Sequence, residues 1–186
     1  MIRPSWNEYF MAIAKIVSTR STCSSRRNGC IIVRDKQILS TGYNGSIPGD
    51  EHCNEKTMPD GSKYCARRAL NVPDIDKYNF CVGSHAENNA ICQAGKLGIS
   101  LNHSIAYCTL FPCYNCLKSL KIAGIDEVYY EYLYESNNKE RDNYWIEQLN
   151  KSGIIAHQIQ LSDNTIKIVN ESLKYPTAKR LLNATD

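Results

Sequence analysis

Two short motifs of this 186-residue chain combine side chains that bind metal ions and transfer protons. The first contains His85 and Glu87, and the second is Pro112-Cys113-Tyr-Asn-Cys116. One histidine and two cysteines supply three protein ligands for zinc, which leaves the fourth tetrahedral position for water. Such an open position is typical of a catalytic zinc, whereas a structural zinc is enclosed by four side chains. The two motifs therefore predict a zinc site that performs hydrolysis.

Each motif is predicted to lie at the start of a helix. The first turn of a helix carries unpaired N–H groups and partial positive charge, which stabilise the thiolates of Cys113 and Cys116. Pro112 suits this first turn because its missing N–H would be unsatisfied there anyway. Residues two apart do not share a face within a helix. His85 and Glu87 can therefore converge only if His85 lies at the helix boundary.

Glu87 is predicted to transfer protons rather than to bind the metal. Zinc lowers the pKa of a bound water from about 15.7 to about 7, which provides hydroxide at neutral pH. Glu87 would take the proton of that water, pass it to a ring nitrogen and help to protonate the departing amine. The combination H-x-E with P-C-x-x-C is the signature of zinc deaminases that act on nucleobases. The alternative is a non-catalytic, zinc-stabilised binding module, and Glu87 argues against it because a structural site needs no general base.

The composition of the chain favours a small anionic ligand over a polymer or a membrane. Its 186 residues are 42% hydrophobic and 22% charged, which is typical of one globular domain. The formal net charge is only +3 and the densest basic cluster is Arg26–Arg27, whereas nucleic-acid surfaces show a larger basic field. No apolar run has the roughly 18 residues of a membrane span, and the first residues lack the apolar core of a secretory signal. We therefore expect a cytoplasmic protein with no membrane or nucleic-acid polymer as partner.

The spacing of apolar residues predicts helices that alternate with strands. Helices are expected over residues 4–19, 84–97, 114–123 and 139–151, and strands over 30–33, 38–41, 104–110, 127–132 and 154–159. Such alternation indicates a sheet with partly parallel strands that is covered by helices. We expect one α/β domain over residues 1–160, with a loop at 42–49 and a polar insertion at about 50–80. A polar tail at 161–186 completes the chain.

At these motifs the sequence resembles the cytidine deaminase superfamily and, within it, the deoxycytidylate (dCMP) deaminases. The resemblance covers residues 5–159 and includes Gly-Tyr-Asn-Gly at 42–45, His-Ala-Glu-x-Asn-Ala at 85–90 and Thr-Leu-Phe-Pro-Cys-Tyr-Asn-Cys at 109–116. The segments 5–12 and 20–23 are similar to the members encoded in bacterial competence operons, and phage members are similar too. The resemblance implies a cytidine deaminase-like three-layer α/β/α fold with a mixed five-stranded sheet.

The resemblance also implies an activity and roles for residues. The reaction would be the hydrolytic deamination of dCMP to dUMP and ammonia, which supplies dUMP for thymidylate synthesis. His85, Cys113 and Cys116 would bind the catalytic zinc, and Glu87 would move protons. Asn44 would hold the sugar of the substrate and Phe111 would lie near the base. The same class of enzyme acting on dCTP, CMP, cytidine, guanine or a tRNA adenosine is the alternative.

Regulation and assembly are implied by the resemblance alone. Many family members are hexamers that dCTP with Mg²⁺ activates and dTTP inhibits, and a dimer is the alternative assembly. Gly42, Tyr43 and Gly45 would lie near the effector site, although these residues could also form a simple exit from a hairpin. Three basic residues could bind the phosphate of the substrate, although each could equally be a solvated surface charge. The candidates are Arg26, Arg27 and Lys96.

Four cysteines that flank or lie within the insertion suggest a second, structural zinc site. They are Cys23, Cys53, Cys65 and Cys81, and four soft ligands could fix an otherwise unsupported loop. Related phage and competence-type proteins carry such a site, and Cys23 and Cys53 match its positions best. His52 could replace one of the other two ligands, and unpaired loop cysteines are the alternative. Three further cysteines are expected to be buried apolar residues, namely Cys30, Cys92 and Cys108.

Overall fold

The helices and strands are seen in the computed structural model, which describes residues 3–73, 76, 78–134 and 139–174. The strands are β1 (Gly29–Arg34), β2 (Gln37–Tyr43), β3 (Gly45–Ser46), β4 (Gly83–Ser84), β5 (Ser104–Leu110), β6 (Ile125–Tyr132) and β7 (Ile155–Gln158). The helices are α1 (Trp6–Ser18), α2 (Ala66–Ala69), α3 (Ala86–Lys96), α4 (Tyr114–Ile122), α5 (Lys139–Ser152) and α6 (Asp163–Lys174). Within these described ranges no helix combines the length and the apolar character that crossing a bilayer requires.

A mixed five-stranded sheet forms the centre of the fold, as predicted. Its strand order is β2-β1-β5-β6-β7. Neighbouring strands are antiparallel from β2 to β5 and parallel from β5 to β7. Both parallel connections pass through a helix, α4 between β5 and β6 and α5 between β6 and β7. The sheet and its covering helices confirm the expected α/β fold.

The alternation of side chains along β1 separates two hydrophobic cores. Ile31 and Val33 face α1, where they pack with Phe10, Met11 and Tyr107. The intervening residues of β1 face the opposite side of the sheet, where α3, α4 and α5 contribute the core. That second core includes Cys30, Ile32, Ala90, Ala94, Leu117, Leu120 and Leu149. Helices on both faces of the sheet produce the three layers.

Helix α3 lies unusually close to the sheet because small residues line the contact. Ala86, Ala90 and Ala94 recur every four residues on one face of α3 and are all buried. Opposite them, Gly42 of β2 leaves no room for a side chain. A Cβ atom at Gly42 would lie 2.1 Å from the carbonyl oxygen of Ala86 and 2.4 Å from the amide nitrogen of Ala90. The Gly-Tyr-Asn-Gly segment therefore has a packing role whatever else it does.

The predicted elements before the tail are all present, with ends that differ by at most two residues. The predicted loop at 42–49 is partly wrong, because β2 extends to Tyr43 and β3 follows at Gly45–Ser46. The insertion is mostly irregular, as expected, and its regular elements include a 3₁₀ turn at Cys53–Glu55 and the short α2.

Helix α6 was not predicted in the tail. Few apolar residues mark it, and Ile166 and Leu173 remain exposed. Its start is fixed by Glu8 of α1, which accepts hydrogen bonds from the backbone N–H and hydroxyl of Ser162 at 3.0 and 2.6 Å and from Thr165 at 2.9 Å. These bonds, chiefly that of the Ser162 hydroxyl, lower the pKa of Glu8 to about 2. A long-range carboxylate contact thus holds the start of a helix whose apolar residues Ile166, Val169 and Leu173 recur at helical spacing, a pattern that the sequence prediction overlooked.

We expect Gly42→Ala to destabilise the protein by about 1–3 kcal/mol, because the added methyl must displace the backbone of α3. The melting temperature would fall by about 3–10 °C in calorimetry. Gly95→Ala is the matched control, since a Cβ at Gly95 meets nothing within 4 Å and the residue lies within a helix. That control should be stabilised by about 0.5–1 kcal/mol. Equal melting temperatures for the two variants would contradict the close approach of α3.

Candidate active site

The three predicted zinc ligands lie together at one end of the sheet. The Nδ1 atom of His85 is 3.5 Å from the Sγ of Cys113 and 3.4 Å from the Sγ of Cys116. Tetrahedral zinc with ordinary bond lengths separates a nitrogen and a sulfur ligand by about 3.6 Å. Across the residues that the structure describes, this is the only group of three or more candidate ligand atoms within 4.8 Å of one another. The donor set and its spacing therefore fit a zinc ion.

Both motifs lie at helix starts, and the details explain their convergence. His85 is the N-cap residue of α3 with an extended backbone, at φ −76° and ψ 156°, as the spacing to Glu87 requires. Cys113 is the N-cap residue of α4, and Cys116 lies in the first turn. The prediction for Pro112 is wrong in one respect, because the helix begins at Tyr114 and the proline precedes the cap. Pro112 thus fixes the chain before α4 and does not remove an unpaired N–H from its first turn.

The thiols and the imidazole influence each other's protonation. The pKa of Cys113 is lowered to about 4, chiefly by a hydrogen bond from the thiol of Cys116 and further by His85. The pKa of His85 is raised, mainly by its hydrogen bond with Cys113, while burial and the positive charge of Arg67 act in the opposite direction. One thiolate is therefore readily formed. Metal binding would displace the remaining protons.

Glu87 is buried beside this group, in the first turn of α3. Only 4% of the residue is exposed, and it lies outside the three-ligand group. Burial raises the pKa of its carboxyl group, although the charge of His85 opposes this change. A carboxyl group with a raised pKa exchanges protons more readily near neutral pH than an ordinary glutamate does. Its position and environment suit a general acid and base.

A short strand pair aligns Asn44 with the start of α3. Gly45 pairs with Ser84, so the residues that adjoin this pair, Asn44 and His85, are held side by side. The Oδ1 atom of Asn44 accepts a hydrogen bond from the N–H of Ala86 at 2.8 Å. Its Nδ2 atom donates to the carbonyl oxygen of Arg26 at 3.2 Å. Asn44 therefore satisfies one of the free N–H groups of α3 and also connects the helix to the Arg26 segment.

One open cavity joins two of the candidate ligands, His85 and Cys113, to the predicted substrate contacts. It is lined by His85, Glu87 and Cys113 and by three of the residues expected to contact substrate, namely Asn44, Phe111 and Arg26. The ring of Phe111 packs edge-on against Tyr130 at 4.8 Å, and the guanidinium group of Arg26 lies 4.8 Å from the ring of Tyr134. The cavity thus combines a proton-transfer group, a metal site, an aromatic wall and a cation.

This arrangement agrees with the comparison of the sequence with protein families. The profile of the cytidine and deoxycytidylate deaminase zinc-binding region matches residues 4–132. The chain belongs to the cytidine and deoxycytidylate deaminase family. It is thereby a zinc-binding hydrolase of the deaminase class, as the two motifs predicted.

Relatives of this deaminase include proteins from bacteria, yeast and phages. ComE operon protein 2 of Bacillus subtilis is 35% identical over 170 residues, which are 91% of this chain and 79% of the relative. The deoxycytidylate deaminase of Schizosaccharomyces pombe is 34% identical over 88% of this chain, which spans only 47% of the yeast protein. The crystal structure of the dCMP deaminase of cyanophage S-TIM5 in complex with dCMP and dUMP superposes with a TM-score of 0.63 and 28% identity. It covers 86% of this chain and all of the phage chain.

Several residues of this cavity were not identified from the sequence, and Arg67, Tyr78 and Tyr134 have the largest side chains among them. Arg67 and Tyr78 belong to the insertion, where no periodic pattern marks their positions, and Tyr134 follows β6. The ring of Tyr78 lies edge-on to the imidazole of His85 at 5.5 Å. Burial raises the pKa of Tyr78, with neighbouring Cys113 adding to the shift. The insertion thus forms part of the wall around the candidate metal site.

Other candidates lie away from the cavity. Arg27 is exposed and does not line it, and Lys96 is exposed at the opposite end of α3 from His85. Gly45 lines the cavity, whereas Gly42 is buried against α3 and Tyr43 lies outside the lining. The cysteines outside the motifs also differ among themselves. Cys30 and Cys108 are buried as predicted, and their Sγ atoms lie 3.7 Å apart across β1 and β5. Cys92 is exposed, so its predicted burial is wrong.

The four cysteines of the predicted second zinc site line one smaller cavity. They are Cys23, Cys53, Cys65 and Cys81. This smaller cavity lies next to the cavity lined by His85 and Glu87, which is called the reaction cavity below. Burial raises the pKa of the Cys53 thiol, and the charges of the other three cysteines contribute to the shift. No three of these sulfur atoms lie within 4.8 Å of one another, unlike the ligand atoms of His85, Cys113 and Cys116. His52, the alternative ligand, has a buried Nδ1 atom with no hydrogen-bond partner.

Proposed function

We propose that this protein hydrolyses dCMP to dUMP and ammonia. The observation that carries the proposal is the single cavity that His85 and Cys113 of the candidate metal group line together with the buried Glu87 and the cation of Arg26. A pyrimidine nucleotide needs a reactive centre at its base and a positive group at its phosphate. The cyanophage relative of the same fold binds dCMP and dUMP. The product dUMP is a precursor of thymidylate, which places the reaction in pyrimidine metabolism.

The residues of the cavity divide the work of this reaction. His85, Cys113 and Cys116 would hold a zinc ion, which would supply Lewis acidity toward a water molecule. Glu87 accepts the first proton of the attacking water and delivers it to the ring nitrogen next to the amino-bearing carbon. Glu87 then takes the second proton from the newly added hydroxyl group and donates it to the amine, which leaves as ammonia. One water is consumed, the C–N bond breaks, and a carbonyl group replaces the amine.

Three further residues position the nucleotide in this proposal. Phe111 packs against the base, Asn44 contacts the sugar and Arg26 contacts the phosphate. The position of Asn44 is supported by its two hydrogen bonds to the backbone, which fix its side chain at the cavity wall. A rigid wall of this kind reduces the entropy that is lost when substrate binds.

An assay of ammonia release across dCMP, CMP, dCTP and deoxycytidine tests the substrate. We expect dCMP to have the highest kcat/KM, because Arg26 would interact with its phosphate at the wall of the cavity. Heat-denatured protein supplies the blank. Turnover of deoxycytidine alone would contradict the proposal, and so would a clear preference for dCTP.

Glu87→Gln should keep the metal and lose turnover. The amide retains the size of the carboxyl group but cannot exchange protons, so kcat would fall by about 10³-fold or more. Glu147→Gln is the control, because Glu147 is exposed on α5 and pairs with Lys151. The zinc content of all three proteins should agree in atomic emission spectroscopy. Retained activity in Glu87→Gln would exclude the proton-transfer role.

A second zinc bound by Cys23, Cys53, Cys65 and Cys81 is also part of the proposal. Its support is the shared cavity of the four cysteines, with His52 as an alternative ligand whose buried Nδ1 atom lacks a partner. Such an ion would fix a polar segment that has little regular structure of its own.

Metal analysis should find two zinc ions per wild-type chain. Cys53→Ser should retain one, because a serine hydroxyl is a poor zinc ligand, and its melting temperature should fall. Cys92→Ser, which changes an exposed cysteine, should retain both ions. One zinc per chain in the wild-type protein would refute the second site.

Regulation, assembly and location rest on the family resemblance. We propose activation by dCTP with Mg²⁺, inhibition by dTTP, effector contacts near Gly42, Tyr43 and Gly45, and a hexamer or a dimer in the cytoplasm. Gly45 lines the reaction cavity, which supports communication between this segment and the substrate. The same ammonia assay repeated with each nucleotide examines the regulation, and an unchanged rate with both would exclude it.

A further inference from the structure

Arg67 brings a second cation into the reaction cavity. It lies on α2 within the insertion and lines the same cavity as Arg26 and Glu87. Among the described residues that line this cavity, Glu87 is the only carboxylate. The cavity therefore carries two permanent positive charges besides the groups that perform the proposed chemistry. Its electrostatic character favours an anionic ligand.

The guanidinium group of Arg67 is not fully satisfied by the protein. Its Nε atom is buried, with an accessible area below 1 Å², and has no hydrogen-bond partner among the described residues. A buried donor on a charged group costs free energy when it remains unpaired. A rotation of the side chain that turns Nε toward the cavity lined by Arg67 would let an oxyanion of a ligand remove this cost. The planar guanidinium fork suits phosphate oxygens in particular, because two parallel N–H groups can bind them at once.

The position of Arg67 is fixed by its surroundings. Arg67 also lines the smaller cysteine cavity, so it lies between the cysteine cluster and the reaction cavity. The thiol of Cys65 lies close to the side chain of Ser25 and to the backbone N–H groups of Arg67 and Arg68. Cys65 is the N-cap residue of α2 and is itself buried. The insertion thus holds Arg67 at the cavity wall.

We infer that Arg67 binds the 5′-phosphate of the substrate together with Arg26, and that it makes the enzyme select nucleotides over nucleosides. The inference rests on the proposed function and adds a binding residue that the motifs do not contain. The two arginines come from separate segments, one before β1 and one from the insertion. Arg26 is held from the other side by the bond between its carbonyl oxygen and Asn44. The insertion would then supply specificity, while α3 and α4 supply the chemistry.

The test compares Arg67→Gln with the wild-type protein on dCMP and deoxycytidine. We expect the ratio of the two kcat/KM values to fall by about 10–100-fold, mainly through a higher KM for dCMP, because a charge-assisted phosphate contact is lost. The ratio does not depend on the fraction of folded protein, since both substrates are measured on one preparation. Arg67→Lys should lose less, because it retains the charge without the fork.

Arg68→Gln is the matched control. Arg68 is the neighbouring arginine, but it is exposed, lies outside the cavity lining and donates to the carbonyl oxygen of Lys63 at 3.4 Å. The ratio of its kcat/KM values for dCMP and deoxycytidine should stay within twofold of the wild-type ratio. Competitive inhibition gives a second measurement. Arg67→Gln should weaken inhibition by dUMP in the same proportion, while inhibition by deoxyuridine should stay unchanged.

The outcomes separate this inference from the proposed function. A wild-type protein that deaminates dCMP, combined with an unchanged ratio in Arg67→Gln, contradicts the inference alone. An equal loss on dCMP and deoxycytidine, with equal weakening of dUMP and deoxyuridine, also contradicts it and assigns Arg67 a structural role. A wild-type protein that releases no ammonia from dCMP contradicts the proposed function.

Discussion

The structure of the site depends on two helices that begin at the same point. Cys113 is the N-cap residue of α4 and His85 is the N-cap residue of α3. Each has the extended backbone that precedes a helix. At that position the side chain points across the end of the helix rather than along its side, so ligands from two elements can meet. The fields of both helix starts also favour thiolates there. A shift of either helix by one residue would move its ligand to another face.

The close contact between α3 and the sheet maintains this alignment. Alanines at every fourth position and Gly42 on β2 allow the two backbones to approach, and Asn44 then bonds to the N–H of Ala86. The same asparagine contacts the backbone of Arg26. One side chain thus couples the start of the catalytic helix to the segment that carries a cation of the cavity. Packing and substrate binding are therefore hard to vary independently in this region.

The predictability of each part follows from the range of the interactions that define it. His85, Cys113 and the main elements could be predicted, because helix caps and apolar periodicity are local properties of the sequence. Helix α6 was overlooked although Ile166, Val169 and Leu173 recur at helical spacing, whereas the contact of Ser162 with Glu8, 154 residues away, has no local signal. Arg67 and Tyr78 were missed for lack of any local signal. They occur in a segment without periodicity, and only the folded chain shows that they reach the cavity.

The division between helices and insertion also has a mechanistic basis. Proton transfer and metal binding require atoms placed within a few tenths of an ångström, which regular elements in a packed core provide. The proposed recognition of a phosphate would tolerate more variation, since a long cationic side chain can adjust to its ligand. An irregular segment can therefore carry Arg67 without endangering the chemistry, provided that something holds it near the cavity. The cysteine cluster beside Arg67 is suited to that task, because it anchors the same short helix that bears the arginine.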